Sequence, residues 1–185
     1  MTIAPAKPRA LRRYAVIAEP RLGEADRDWV EALRRREDPA GFARVGPHLT
    51  LVFVVALAHP APLLRAMRRE AAGTKPFRIA LDRVLQLEDV EGGAVICLGA
   101  SRGRASLVRL HDRLYAGPLD PHWRRDIPYE PHLTLGRRRR AAAGARLAQR
   151  IAAETPDLRG AIDSLLLIEL GARGAMPRRR FRLLG

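Results

Sequence analysis

The 185 residues, 47% of them apolar, suffice for a folded core without cross-links, and the single cysteine, Cys97, excludes a disulfide framework and a Cys-rich zinc site. The net charge of +14 is less decisive. Of the 34 basic residues 32 are arginine, in a chain crowded with Ala, Leu and Gly, which fits either an RNA-binding surface or a base-composition bias.

Met1–Arg13 has no apolar run of signal-peptide length, and the longest apolar stretch, Leu49–Ala58, holds a Thr and falls short of a bilayer span. A soluble cytoplasmic protein is expected. In chain order, Arg13–Ala18 reads as a strand ended by Glu19-Pro20. Glu24–Arg36 spaces Trp29, Val30 and Leu33 as a helix, with Arg34–Arg36 at its cation-tolerant end. After Gly46-Pro47 comes a β-branched strand, Leu49–Leu57, then a helix over Ala61–Ala72 stopped by Gly73. Phe77–Leu87 and Ala94–Leu98 form a hairpin through Glu91-Gly92-Gly93.

Arg104–Tyr115 reads as the next helix, and a Gly/Pro/Asp-rich loop, Gly117–Pro131, leads to a strand at His132–Arg137. A helix follows over Ala141–Glu154, with closing strands at Ala161–Leu170 and Arg178–Leu184. The hairpin interrupts the βα alternation, which predicts an α+β rather than a doubly wound fold.

Within this pattern Pro47-His48-Leu49-Thr50-Leu51 recurs as Pro131-His132-Leu133-Thr134-Leu135, 84 positions on. Histidine and threonine each occur only five times in the chain, so the doubled His-x-Thr is its most specific feature. A repeat near half the length predicts two pseudo-symmetric lobes rather than a solenoid. Side chains alternate along a strand, so His48 and Thr50 share one face while Leu49 and Leu51 anchor the other, and likewise for His132 and Thr134.

Two imidazoles and two hydroxyls across one cleft suit phosphodiester transfer. One imidazole takes a proton from the attacking oxygen and the other gives one to the leaving oxygen. The hydroxyls donate to the non-bridging phosphate oxygens. This scheme needs no metal. Two isolated strand histidines, or a zinc site without a clear third ligand, explain the duplication less well.

The words HLTLVF (His48–Phe53) and PHLTLGR (Pro131–Arg137) resemble the two motifs of the 2H phosphoesterase superfamily, especially its 2'-5' RNA ligase and RNA 2',3'-cyclic phosphodiesterase branch. RYAVIAEP sits where that family has its first strand. The resemblance implies a bilobed α+β fold of antiparallel sheets flanked by helices, spanning 1–185, with the active site between the lobes. It implies no cofactor, His48 and His132 as the catalytic pair, and Thr50 and Thr134 as phosphate-orienting hydroxyls. It further implies RNA or an oligonucleotide with a 2',3'-cyclic phosphate as substrate, hydrolysed to a 2'-phosphate or joined to a 5'-hydroxyl without ATP.

The family often has a basic residue where Arg137 stands, whereas strict alternation puts Arg138 on the cleft face. A bulge near Gly136 would reverse that parity, so both are candidate phosphate contacts. Tyr14, Phe53, Trp123 and Tyr129 are candidate base-stacking residues. His111 reads as the edge of a helix face, His59 and His122 as loop residues, Arg178–Arg180 as solvated and Cys97 as a buried small hydrophobe. A monomer without membrane or metal partners is expected. A small cyclic nucleotide as substrate, or a non-catalytic RNA-binding role, is the alternative.

Overall fold

A computed structural model describes residues 10–89 and 92–185. Glu91, one member of the expected hairpin turn, lies outside them. The elements are β1 (Arg12–Ala18), β2 (Arg21–Leu22), α1 (Glu24–Glu37), α2 (Pro39–Arg44), β3 (Leu49–Leu57), α3 (Ala61–Ala72), β4 (Phe77–Glu88) and β5 (Ala94–Ala100). The second half continues with α4 (Arg104–Tyr115), β6 (His132–Arg138), α5 (Ala141–Glu154), β7 (Leu158–Ile162), β8 (Ser164–Gly171) and β9 (Gly174–Arg182).

The strands form one sheet in the order β2-β7-β4-β5-β6-β3-β1-β8-β9, with every neighbouring pair antiparallel. The α+β expectation is met. The two expected antiparallel sheets are two halves of one sheet, related about the β3/β6 junction. Exchanging β3 with β6, β1 with β5 and β8 with β4 leaves the central order unchanged, so the motif repeat is also a repeat of strand arrangement. The halves exchange strands: β4 follows the first motif in sequence yet pairs with β5, and β8 follows the second yet pairs with β1.

One expectation is corrected here. Ala161–Leu170 is not one strand. The chain bends at Asp163, so β7 pairs with β4 and β2 while β8 pairs with β1 and β9. Alternation runs on through such a bend and cannot report the change of partner. Asp163 holds the corner, its carboxylate accepting from Arg21 at 3.0 Å and from the Ser164 hydroxyl at 3.0 Å. Because β1 runs into β2 after two residues and β7 into β8 after one, the ends of the strand order come together and the sheet curls.

The closing strand begins at Gly174 rather than Arg178. Sequence patterning also missed β2, too short to alternate, and α2. The latter carried a start signal: Asp38 precedes Pro39, and its side chain accepts from the Gly41 amide at 3.1 Å.

The helix-covered sheet face carries the main core. Leu49, Leu51, Leu133 and Leu135, the four motif leucines, are fully buried in it. Cys97 is buried as expected. Among the described residues no helix is long and apolar enough to cross a membrane.

Candidate active site

The two motif strands meet at one backbone pair, Leu49 opposite Leu133. These are the same position of the two motifs, so the pseudo-two-fold passes between them. In antiparallel register His48 then falls beside Thr134, and His132 beside Thr50. With the leucines buried on the helix side, both histidines and both threonines lie half-buried on the other side.

Both imidazoles are held the same way. Nδ1 of His48 lies 2.8 Å from the Gly46 carbonyl and Nδ1 of His132 lies 2.7 Å from the Glu130 carbonyl, each two residues upstream. A carbonyl only accepts, so Nδ1 carries the hydrogen and Nε2 is left for proton transfer. Among the described residues neither Nε2 nor either threonine hydroxyl has a protein hydrogen-bond partner.

Burial pushes both imidazole pKa values down, and the Gly46 and Glu130 carbonyl bonds push back. The remaining influences differ. Arg34 and His132 lower His48 further, against Glu19, whereas the Glu130 carboxylate raises His132 against Arg137.

The parity of the two arginines is settled by a bulge. Thr134 pairs with Cys97 and Gly136 with Ile96, leaving Leu135 as the extra residue. Downstream of it Arg138 pairs with Ala94, which belongs to the helix-side core, while Arg137 pairs with Val95 on the histidine face. A Cβ on Gly136 would come within 3.0 Å of Leu147 and Glu37, confirming that this position now faces the helices. Arg138 therefore turns to the helix side, away from the histidines. Its guanidinium is ion-paired with Glu37 and donates to the Glu37 carbonyl at 3.2 Å. Arg137 stays on the histidine side, bonded to Asp89 at 2.9 Å and 3.9 Å from Asp38.

The aromatic candidates separate in the same way. Tyr14 is 3% exposed in the helix-side core, so it is corrected from base platform to core residue. Tyr129 stacks on His111, with centroids 3.7 Å apart and planes 5° apart, and its hydroxyl donates to the Thr50 carbonyl at 2.8 Å. Phe53 meets both rings edge-on, and Trp123 stacks near Tyr115. His111 is 1% exposed, so it is a core residue rather than the edge of a helix face. Its Nδ1 lies 2.8 Å from the Leu51 carbonyl, and the Tyr115 hydroxyl accepts from the Phe53 amide at 2.9 Å. These rings thus satisfy the backbone of β3 where β6 no longer runs beside it.

Sequence reading missed Arg34, Glu37 and Glu130. Arg34 and Glu37 continue the stripe of Val30 and Leu33 at i, i+3, i+4 and i+7, so their burial was signalled by helical spacing. Glu130 bore no signal of its own; Arg104 grips its carboxylate at 2.7 Å and Arg83 at 3.3 Å. Arg178 and Arg180, expected as solvated, pair with Glu169 and Glu19. A polar cavity of about 510 Å³ opens beside Gly46 and Pro47, reaching Arg21, Arg27, Arg180 and Arg182. No group of three His, Cys, Asp or Glu side chains suited to a metal ion occurs among the described residues.

Comparison with known proteins agrees with this geometry. Among solved structures, Escherichia coli LigT without ligand superposes with a TM-score of 0.61 at 20% identity, covering 95% of this chain and 99% of that one. LigT complexed with 3'-AMP superposes with a TM-score of 0.63 at 21% identity over the same shares. Usb1 of Kluyveromyces marxianus gives 0.58 at 16% identity, covering 93% of this chain and 98% of that one. These likenesses show a shared fold. A search of curated proteins by sequence finds no match. The model of the 2'-5' RNA ligase superfamily matches residues 22–174, a span that contains both histidine motifs, and the chain belongs to that superfamily.

Proposed function

We propose that this phosphoesterase-type protein hydrolyses 2',3'-cyclic phosphate ends of RNA or oligonucleotides to 2'-phosphates, with His48 and His132 as the acid–base pair. The whole chain acts as one unit, one motif coming from each half of the sheet. The observation that carries the reading is the matched pair of imidazoles, each with Nδ1 tied to a carbonyl and Nε2 left for proton transfer. Water attacks phosphorus as one imidazole takes its proton, and the P–O3' bond breaks as the other protonates O3'. Thr50 and Thr134, set beside the opposite histidine by the register, donate to the non-bridging oxygens, and Arg137 offsets the charge that builds there. With a ribose 5'-hydroxyl in place of the attacking water, the same groups support 2'-5' joining, P–O5' forming as P–O3' breaks.

A LigT complex with 3'-AMP among the fold neighbours fits a nucleotide in this cleft. The arginine-lined cavity beside Gly46 and Pro47 favours an oligonucleotide over a free cyclic nucleotide, because it offers a place for a flanking residue.

The test is turnover of short oligonucleotides ending in a 2',3'-cyclic phosphate, in excess EDTA. Release of a 2'-phosphate by the parent, lost in His48→Ala and His132→Ala, is expected, with a trinucleotide turned over faster than a mononucleotide. A parent inactive on every cyclic phosphate overturns the reading.

A further inference from the structure

Two cavities meet at Glu19 and Gly46, beside the segment that leads into His48. The larger, of about 510 Å³, is the polar one described above. The smaller, of about 230 Å³, is walled by Ile17, Phe42, Val45, Leu166, Ile168 and Pro177. Register puts both on the histidine side of the sheet. Thr50 pairs with Ile17, Ile17 with Leu166 and Leu166 with Arg180, a row that runs from the first motif to the edge strand. The next row on that face starts at His48, and Ser164 and Arg182 pair at its far end. Gly46 lies two residues from His48, a span of no more than about 7 Å.

The polar cavity sets Arg21, Arg27, Arg180 and Arg182 against Glu19, Glu31 and Asp163. Each carboxylate already has its cation. Arg180 holds Glu19 at 2.5 Å, Arg21 holds Asp163 at 3.0 Å, and Arg35, from outside the cavity, holds Glu31 at 3.1 Å. The Ser164 hydroxyl is engaged as well, donating to Asp163 and accepting from Arg180. Arg27 and Arg182 have no carboxylate within ion-pair reach among the described residues. One comes from α1 and the other from β9, and both line one cavity. Two such guanidiniums suit an anion with several oxygens to share, as a phosphodiester has. The adjoining apolar walls suit the flat face of a base.

We propose that the two cavities form one subsite for the nucleotide that precedes the cyclic end. Arg27 and Arg182 hold the phosphodiester joining it to the terminal nucleotide, and its base lies against Phe42 and Val45. The inference rests on the proposed reaction and makes a dinucleotide the shortest substrate that uses the whole site. The pairs Arg21–Asp163 and Arg180–Glu19 wall the cavity without adding net charge, so the hold on phosphate falls to the two free guanidiniums.

The experiment compares kcat/KM for a dinucleotide ending in a 2',3'-cyclic phosphate with that for a mononucleotide 2',3'-cyclic phosphate. The proteins are the parent, Arg27→Gln, Arg182→Gln, the double variant and, as a control for net charge, Arg146→Gln on the exposed side of α5. In the parent the dinucleotide is favoured by about tenfold or more. Each single variant lowers that ratio by about threefold, the double variant brings it near one, and Arg146→Gln keeps it. A dinucleotide with an uncharged methylphosphonate linkage, and one lacking the upstream base, each lose most of the advantage. Added salt erodes the advantage of the natural linkage.

A double variant that keeps the parent's ratio overturns the subsite, as does a methylphosphonate or abasic dinucleotide that keeps the whole advantage. A parent that turns over neither substrate overturns the proposed reaction instead. Calorimetric binding of a dinucleotide ending in a 2'-phosphate then decides the subsite alone: weaker binding by the double variant than by the parent upholds it, and equal binding overturns it.

Discussion

Beyond the Leu49–Leu133 pair the motif strands part in both directions, and the two openings are filled by different chemistry. On one side Tyr129, His111, Phe53 and Tyr115 close the gap with stacked rings whose polar atoms bond the bare backbone of β3. On the other, α1 sends Arg34 and Glu37 into the gap beside β6. Arg36, Arg138 and Arg150 converge on Glu37, while Arg34 holds the Val45 carbonyl. The pseudo-symmetry of the sheet is therefore a symmetry of backbone and of the His-x-Thr groups, not of what supports them. Duplicated strands supply two equal imidazoles, while the supports around them are unequal.

The largest effect tests the symmetric part. His48→Ala and His132→Ala are each expected to cost on the order of 10² to 10⁴ in kcat on a cyclic-phosphate oligonucleotide, and the double variant little more than either single one. Multiplying losses in the double variant would break the picture of one concerted pair. Next come the hydroxyls. Thr50→Val and Thr134→Val are each expected to lower kcat by roughly 10² with KM little changed, because their bonds strengthen as charge builds on phosphorus.

Stability measurements sharpen the contrast between the openings. Glu37→Gln removes a carboxylate that three guanidiniums share and is expected to cost about 2 kcal/mol in urea unfolding. That cost should shrink as salt screens the half-exposed arginines. His111→Phe keeps the stack but strips the Leu51 carbonyl of its partner, at a cost of about 1 kcal/mol that does not change with salt. Equal salt dependence of the two variants would mean that the openings are held by the same forces.

The smallest effect is a pH dependence of folding. Burial depresses the imidazoles of His48, His111 and His132, so the unfolded chain binds more protons than the folded one as pH falls below about 6.5. Their contribution is fully present above that pH and is lost on acidification through the depressed folded values. Glu37 and Glu130, whose carboxyls are held below their ordinary range, add an acid-side loss at still lower pH. His111→Phe should flatten the upper part of this decline.

The His-x-Thr repeat, its strand setting and the helices between were legible in the sequence, because alternation and helical spacing are local properties of the chain. The extents of β3, α3, α4 and α5 followed from spacing and breakers alone. Those same signals could not separate Arg137 from Arg138, since one extra residue at Leu135 reverses every later side chain. Nor could they part β7 from β8, or tell that Tyr14 turns into the core while Tyr129 reaches Thr50. Which strand lies beside which, and which side chain fills each opening, depends on contacts between residues far apart in the chain. The sequence by itself determined two equal histidines on one face. Tertiary packing brought Arg34 of α1 onto the Val45 carbonyl beside one and Arg104 and Arg83 onto Glu130 beside the other, because these partners are distant in the chain and close only in space.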